Sequence, residues 1–231
     1  MIMTNQQTLL GLKKCKAATT AYTLMHKYFY NISLGNYSRH KIYIILASSM
    51  FLGGKLEDEF HSLNDIFTAI GRVIEMAEGK IKKFSVREVL EVDASETFEL
   101  TMTQIKILCD CEVQLLMANN WSMEVDSPYK YMRCEFFGTD IAKRVSLCQN
   151  VTVYVSAIIQ SKKYLNIPLP IAAAAAIHLT FESYKIKAPS DVLEWLEAQK
   201  SSNEEAFKYC VSIATKFYQC CLNSYLADKM M

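Results

Sequence analysis

The stretch Ile42-Tyr-Ile-Ile-Leu-Ala-Ser-Ser-Met-Phe-Leu52, which runs on into Gly53-Gly54-Lys55-Leu56-Glu57-Asp58, decides the fold. From Lys41 to Gly54 it is apolar or small on almost every side and does not alternate, so it predicts a helix enclosed by others at the centre of a bundle. A second stretch of the same kind, Ile171-Ala-Ala-Ala-Ala-Ala-Ile-His-Leu179, is introduced by Pro168 and Pro170. Its alanines permit close helix packing. Ala47 through Leu52 aligns with Ala174 through Leu179 at a shift of about 127 residues, which is the mark of an internal repeat. Two five-helix bundles account for it, with a boundary near Gly138 that divides the chain into 1–138 and 139–231.

Outward from these two helices, apolar residues recur at helical spacing almost everywhere. A first helix is expected from about Lys16 to Tyr30, with Ala21, Leu24, Met25, Tyr28 and Phe29 on one face and an end near Gly35. Ser62 with Asp65 resembles a capping box and opens a helix carrying Ile66, Phe67 and Ile70, weakened at Gly71. The charged, aperiodic segment from Glu78 to Glu96, with Lys80, Lys82 and Lys83, reads as a surface loop. A long helix from about Glu96 to Ala118 follows. Ser127-Pro128 predicts a capped fifth helix ending near Gly138. Thr139-Asp140 opens another long helix through Ser161, Ser190-Asp191 a short one carrying Trp195, and Ser202 with Glu205 a last one to about Tyr225.

Composition narrows the function. Half of the 231 residues are apolar (51%), with only seven glycines and four prolines to interrupt helices. With 25 basic and 24 acidic residues no global field attracts nucleic acid or an anionic membrane. No run approaches the roughly 18 apolar residues of a membrane span, and no apolar run stands behind Met1 to Gln7 as in a signal peptide, so a soluble intracellular protein is expected. Eight cysteines then read as free thiols. Cys109 with Cys111 and Cys220 with Cys221 lack the spacer of a zinc-binding pair, and no metal or cofactor is expected. Asn-x-Ser/Thr triplets at Asn31 and Asn150 are read as chance.

Leu52-Gly-Gly-Lys-Leu-Glu-Asp58 resembles the cyclin-box signature, in which leucine, two small residues and lysine precede a hydrophobic residue and two acids. Cys111-Glu-Val-Gln-Leu-Leu-Met-Ala-Asn-Asn-Trp-Ser-Met123, followed by Ser127-Pro128-Tyr129, is similar to that family's later helix. Ile171 to Leu179 with Trp195 looks like the second box of transcription-type cyclins of the T, K, L, C and M branches. The resemblance spans roughly Ala17 to Leu222. It implies an all-α, tandem cyclin-box fold and a non-catalytic subunit that forms a heterodimer with a cyclin-dependent protein kinase and activates it, in the nucleus and/or cytoplasm. It further implies that Lys55 and Glu112 stand together and bond to the kinase main chain, with Leu56, Leu116 and Trp121 lining the contact. The second repeat has Glu182 in place of Lys55, so it should not duplicate that contact. The Met-Arg-x-Ile-Leu patch of cell-cycle cyclins is absent from the first helix.

Rival classes leave weaker traces. Gly54-Lys55 hints at a phosphate loop, but Ser49 stands where the leading glycine belongs and Leu56 where a hydroxyl should hold magnesium. His26, His40, His61 and His178 have no ligand spacing, and His178 is expected to be packed. A cyclin-fold transcription factor binding nucleic acid would need a basic face, for which only Lys13, Lys14, Lys16 and Lys41 offer a local patch. No direct nucleic-acid or membrane contact is expected, and a scaffold without kinase activation is the remaining alternative.

Overall fold

Ala21, Leu24 and Tyr28 recur at helical spacing, and in the computed structural model helix α1 (Lys13–Tyr30) buries all three. The structure describes residues 13–30, 39–59, 61–67, 69–70, 102–138 and 140–229. The expected endings at Gly35 and Gly71 and the loop from Glu78 to Glu96 lie outside these residues. Among those described there are helices and no strand. The chain forms two compact units, Thr20–Val125 and Asp126–Met231 with the residues up to Thr19.

In the first unit α2 (Arg39–Leu56) packs on α3 (Met102–Ala118). Its Ile45 and Leu52 join Leu24, Tyr28, Cys111 and Leu115 in one buried cluster, while Ala47 joins Ile66, Ile70 and Leu108 in another. One helix thus feeds two apolar clusters, as its nearly unbroken apolar run requires. It is not wholly enclosed, because Lys41 and Met50 reach solvent. Ser62 caps the short helical stretch at 63–67, its Oγ accepting from the Asp65 N–H at 3.1 Å.

The exit of α2 is closely fitted. The chain turns through Asp58 at φ 56° and returns so that the Glu59 N–H donates to the Gly54 carbonyl at 2.8 Å. A Cβ on Gly54 would lie 2.4 Å from the Glu59 carbonyl oxygen, so only glycine allows this return. Thr20 Oγ1 on α1 donates to Glu57 Oε1 at 2.8 Å and ties the turn to its neighbour.

The second unit holds α4 (Ile141–Ile159), α5 (Leu169–Ser183), α6 (Ser190–Ser202) and α7 (Glu204–Lys229). The alanine helix α5 packs against α4, α6 and α7, and Ala172 through Ala176 are fully buried. The small side chains let the neighbouring helices approach, so α5 is central here as α2 is in the first unit. Asp140 caps α4, its Oδ1 accepting from the Lys143 N–H at 3.1 Å.

Three local expectations change. The fifth helix from Ser127 to Gly138 is instead two 3-10 turns, Pro128–Tyr131 and Cys134–Phe137. Met132 and Arg133 are extended (ψ 117° and 135°) and separate them, although Ser127 Oγ does accept from the Tyr129 N–H as a cap. The turns pack on α5 and α4, and the units part at Val125/Asp126, ahead of the Gly138 boundary expected from sequence. The last helix is capped by Asn203, whose Oδ1 accepts from the Ala206 N–H at 2.9 Å, while the Ser202 hydroxyl bonds back to the Gln199 carbonyl.

Candidate functional site: a charged pair at the rim of a helical core

The last turn of α2 and the middle of α3 lie side by side, which brings the charges of Lys55 and Glu112 into contact at 2.5 Å between Nζ and Oε1. The Glu112 oxygen is buried, so the lysine lies between it and solvent. Lys55 Nζ also stands 4.4 Å from the centre of the Phe51 ring one turn earlier on its helix. The pair sits at the rim of the core: the Lys55 side chain is 37% exposed and that of Glu112 13%. A cation placed there, beside a carboxylate on a different helix, can donate charge-assisted bonds outward from a fixed position.

Leu56 and Leu116 are half-buried and pack against the cluster of Leu24, Tyr28, Ile45, Leu52, Cys111 and Leu115, so each serves the core and the rim together. Trp121 is 57% exposed and therefore no core aromatic. Its N–H donates to the Leu116 carbonyl at 2.8 Å, which fixes it just beyond the end of α3. The five predicted residues thus share one unit, linked as Lys55 with Glu112, Leu56 with Leu116 through the core, and Leu116 with Trp121.

Sequence reasoning missed Val113, Met117 and Met123, exposed by 45%, 57% and 61%. The signal was available: Val113 and Met117 stand four residues apart on the side of α3 turned away from the core positions Cys111 and Leu115, where polar residues are the rule.

In the second unit His178 and Glu182 on α5 take the places of Phe51 and Lys55 in the aligned pattern, 3.8 Å apart between Nε2 and Oε2. His178 lies 5.6 Å from the Phe207 ring and keeps about half its side chain in solvent. No lysine is presented there. Among the described residues no group of His, Cys, Asp and Glu could hold a metal ion, and no helix is long and apolar enough to cross a membrane. Cys111, Cys148 and Cys210 are buried and Cys109 exposed, all free thiols. Burial pushes the Cys210 thiol up to about 12 and that of Cys111 in the same direction.

The architecture is an all-α fold of the cyclin-box type. Among solved structures the chain is similar to one in the crystal structure of the yeast RNA Pol II CTD kinase CTDK-1 complex, with a TM-score of 0.52 and 16% identity over 94% of this chain and 67% of that one. At this identity the likeness speaks for the fold. No protein-family model matches the sequence.

Proposed function

We propose that the chain is a regulatory subunit that binds a cyclin-dependent protein kinase as a heterodimer and activates it, using the face that carries Lys55, Leu56, Glu112, Leu116 and Trp121. The observation that carries this is the pairing of Lys55 with Glu112 at the rim of a unit whose helix α3 also exposes Val113 and Met117 and whose following turn exposes Trp121. Exposed apolar side chains of this kind supply area that loses water on docking, and the charged pair supplies electrostatic complementarity. The likeness to a chain of a kinase complex that acts on RNA polymerase II supports a transcription-linked partner.

Activation needs no chemistry from this chain and no cofactor of its own. The docked face presses the kinase's mobile regulatory helix inward, so that the kinase's own lysine and glutamate pair and its metal-binding loop is set for phosphoryl transfer; the effect is a shift of population toward that state. The second unit, with Glu182 where the first has Lys55, serves structure or recruits other proteins. A soluble nuclear or cytoplasmic location accords with this role.

The test is reconstitution with a panel of cyclin-dependent kinase catalytic subunits, including that of the yeast CTDK-1 complex, read as phosphate transfer to a polymerase C-terminal-domain peptide. One kinase should be stimulated by stoichiometric chain. No complex and no stimulation across the panel would contradict the assignment.

A further inference from the structure

A helix that ends on the surface commonly does so through one glycine in the left-handed region. Helix α3 ends instead on two consecutive non-glycine residues there, Asn120 at φ 53° and Trp121 at φ 57°. Asparagine tolerates this conformation, but a bulky tryptophan does not adopt it without a surrounding structure that over-determines it. The residue gains little burial in return, since more than half of it stays in solvent.

What holds the turn is the neighbouring Asn119, a polar side chain buried to 3% exposure. Its Oδ1 accepts from Lys27 Nζ on α1, and its Nδ2 donates to the Ser122 carbonyl at 2.6 Å. The Ser122 N–H returns to the Asn119 carbonyl at 3.0 Å, and the Ser122 hydroxyl donates to the Glu124 carbonyl at 3.0 Å. One buried amide thus spans from α1 to the far side of the turn and fixes both ends of the strained pair. The conformation costs free energy, leaves an aromatic ring in water, and is enforced from the core.

We infer that Asn119, anchored by Lys27, is a positioning residue that holds Trp121 in the presenting conformation for the kinase; this rests on the function proposed above. Asn119 touches no partner itself. It acts by denying the turn its relaxed conformations, and so fixes where the ring stands.

The test uses the full chain carrying Trp195→Phe, in which Trp121 is the remaining tryptophan of the two. Emission anisotropy of the free chain reads the order of the Trp121 ring, and titration with the kinase subunit that the panel selects reads affinity. Asn119→Ala removes both bonds, Asn119→Asp keeps the acceptor for Lys27 but loses the donor to Ser122, and Lys27→Met keeps the apolar stem without its donor. Each should lower the anisotropy and weaken binding tenfold or more, and none should weaken it further in a chain that already carries Trp121→Ala. A merely structural role would leave the anisotropy unchanged and make the losses additive, and that result overturns the inference. Should Asn119→Ala fail to fold, Lys27→Met and Asn119→Asp carry the same comparison. Loss of binding in Trp121→Ala and Lys55→Ala with wild-type binding in Asn119→Ala sinks this inference alone. Wild-type binding in Trp121→Ala and Lys55→Ala sinks the proposed kinase face and this inference with it.

Discussion

Replacing Gly54 by alanine sets two physical effects against each other at the exit of α2. Alanine is the better helix former, by about 1 kcal/mol over glycine in a helix interior. At this position, however, the added methyl carbon meets the Glu59 carbonyl oxygen at 2.4 Å, and that oxygen belongs to main chain that cannot rotate away. The returning segment 57–59 must shift, at a cost of about 1–3 kcal/mol by analogy with overpacked cores. The shift also lengthens the Glu59 N–H bond to the Gly54 carbonyl, now 2.8 Å, and strains the Thr20–Glu57 bond, each contributing about 1 kcal/mol. The steric and hydrogen-bond losses outweigh the propensity gain, so Gly54→Ala should destabilise the chain by about 2–4 kcal/mol. Urea unfolding followed by far-ultraviolet circular dichroism reads this as a lower midpoint. Thr20→Val should cost about 1 kcal/mol alone and less than that beside Gly54→Ala, because both act on the same returning segment. A Gly54→Ala chain as stable as wild type, or more so, would refute the reasoning.

The remaining predictions test other parts of the fold. Asn203→Ala should cost about 1 kcal/mol as a lost cap, while Ser202→Ala should be close to neutral, and unfolding midpoints distinguish the two. Ala175→Leu places a large side chain at a fully buried position of α5 and should lower stability by about 3 kcal/mol or more, whereas Leu193→Ala on the exposed side of α6 should change it by less than about 0.5 kcal/mol. Cys210 is held protonated by burial up to about 12, against 9.0 for an ordinary thiol. The folded chain therefore keeps a proton that the unfolded chain releases, so stability is unaffected below pH 9.0 and falls as pH rises from there toward about 12, by up to about 1.4 kcal/mol per pH unit. Unfolding of Cys210→Ala across the same range should show a shallower slope; identical slopes would contradict this.

Much of the fold was legible because the relevant patterns are local and strongly periodic. The apolar runs around Ala47 and Ala174 could only be central helices, and the Ser62 and Asp140 caps follow from side-chain oxygens placed just before an apolar run. The region after Ser127 was less legible, because a sound cap and a proline do not show that Met132 and Arg133 will turn extended. Asn203 over Ser202 is a choice between two good caps one residue apart, decided only by where the short helix α6 closes. At the candidate site, the side-by-side placement of Lys55 and Glu112 followed from the resemblance, since nothing in local sequence joins residues so far apart. The exposure of Trp121 was implied only by the resemblance, which set it in the kinase contact, because local sequence does not separate an aromatic near a helix end that packs inward from one that stays in solvent. Val113 and Met117 were visible as a spacing but not as a surface.

The Lys55–Glu112 face is the surface proposed to bind a kinase. The most direct measurement is the affinity of the activated cyclin-dependent kinase subunit for wild-type chain, Lys55→Ala and Glu112→Ala, taken together with their unfolding midpoints. Lys55 is partly solvated but the Glu112 oxygen is buried, so Lys55→Ala, which leaves that charge without its cation, should cost the free chain about 1–3 kcal/mol, and Glu112→Ala less than about 1 kcal/mol. Within a complex that excludes water the same truncations should cost about 2–5 kcal/mol, a loss in affinity of about thirtyfold or more. Binding weakened in both variants, with Glu112→Ala nearly unchanged in midpoint, is the predicted result; wild-type affinity in both variants would contradict it.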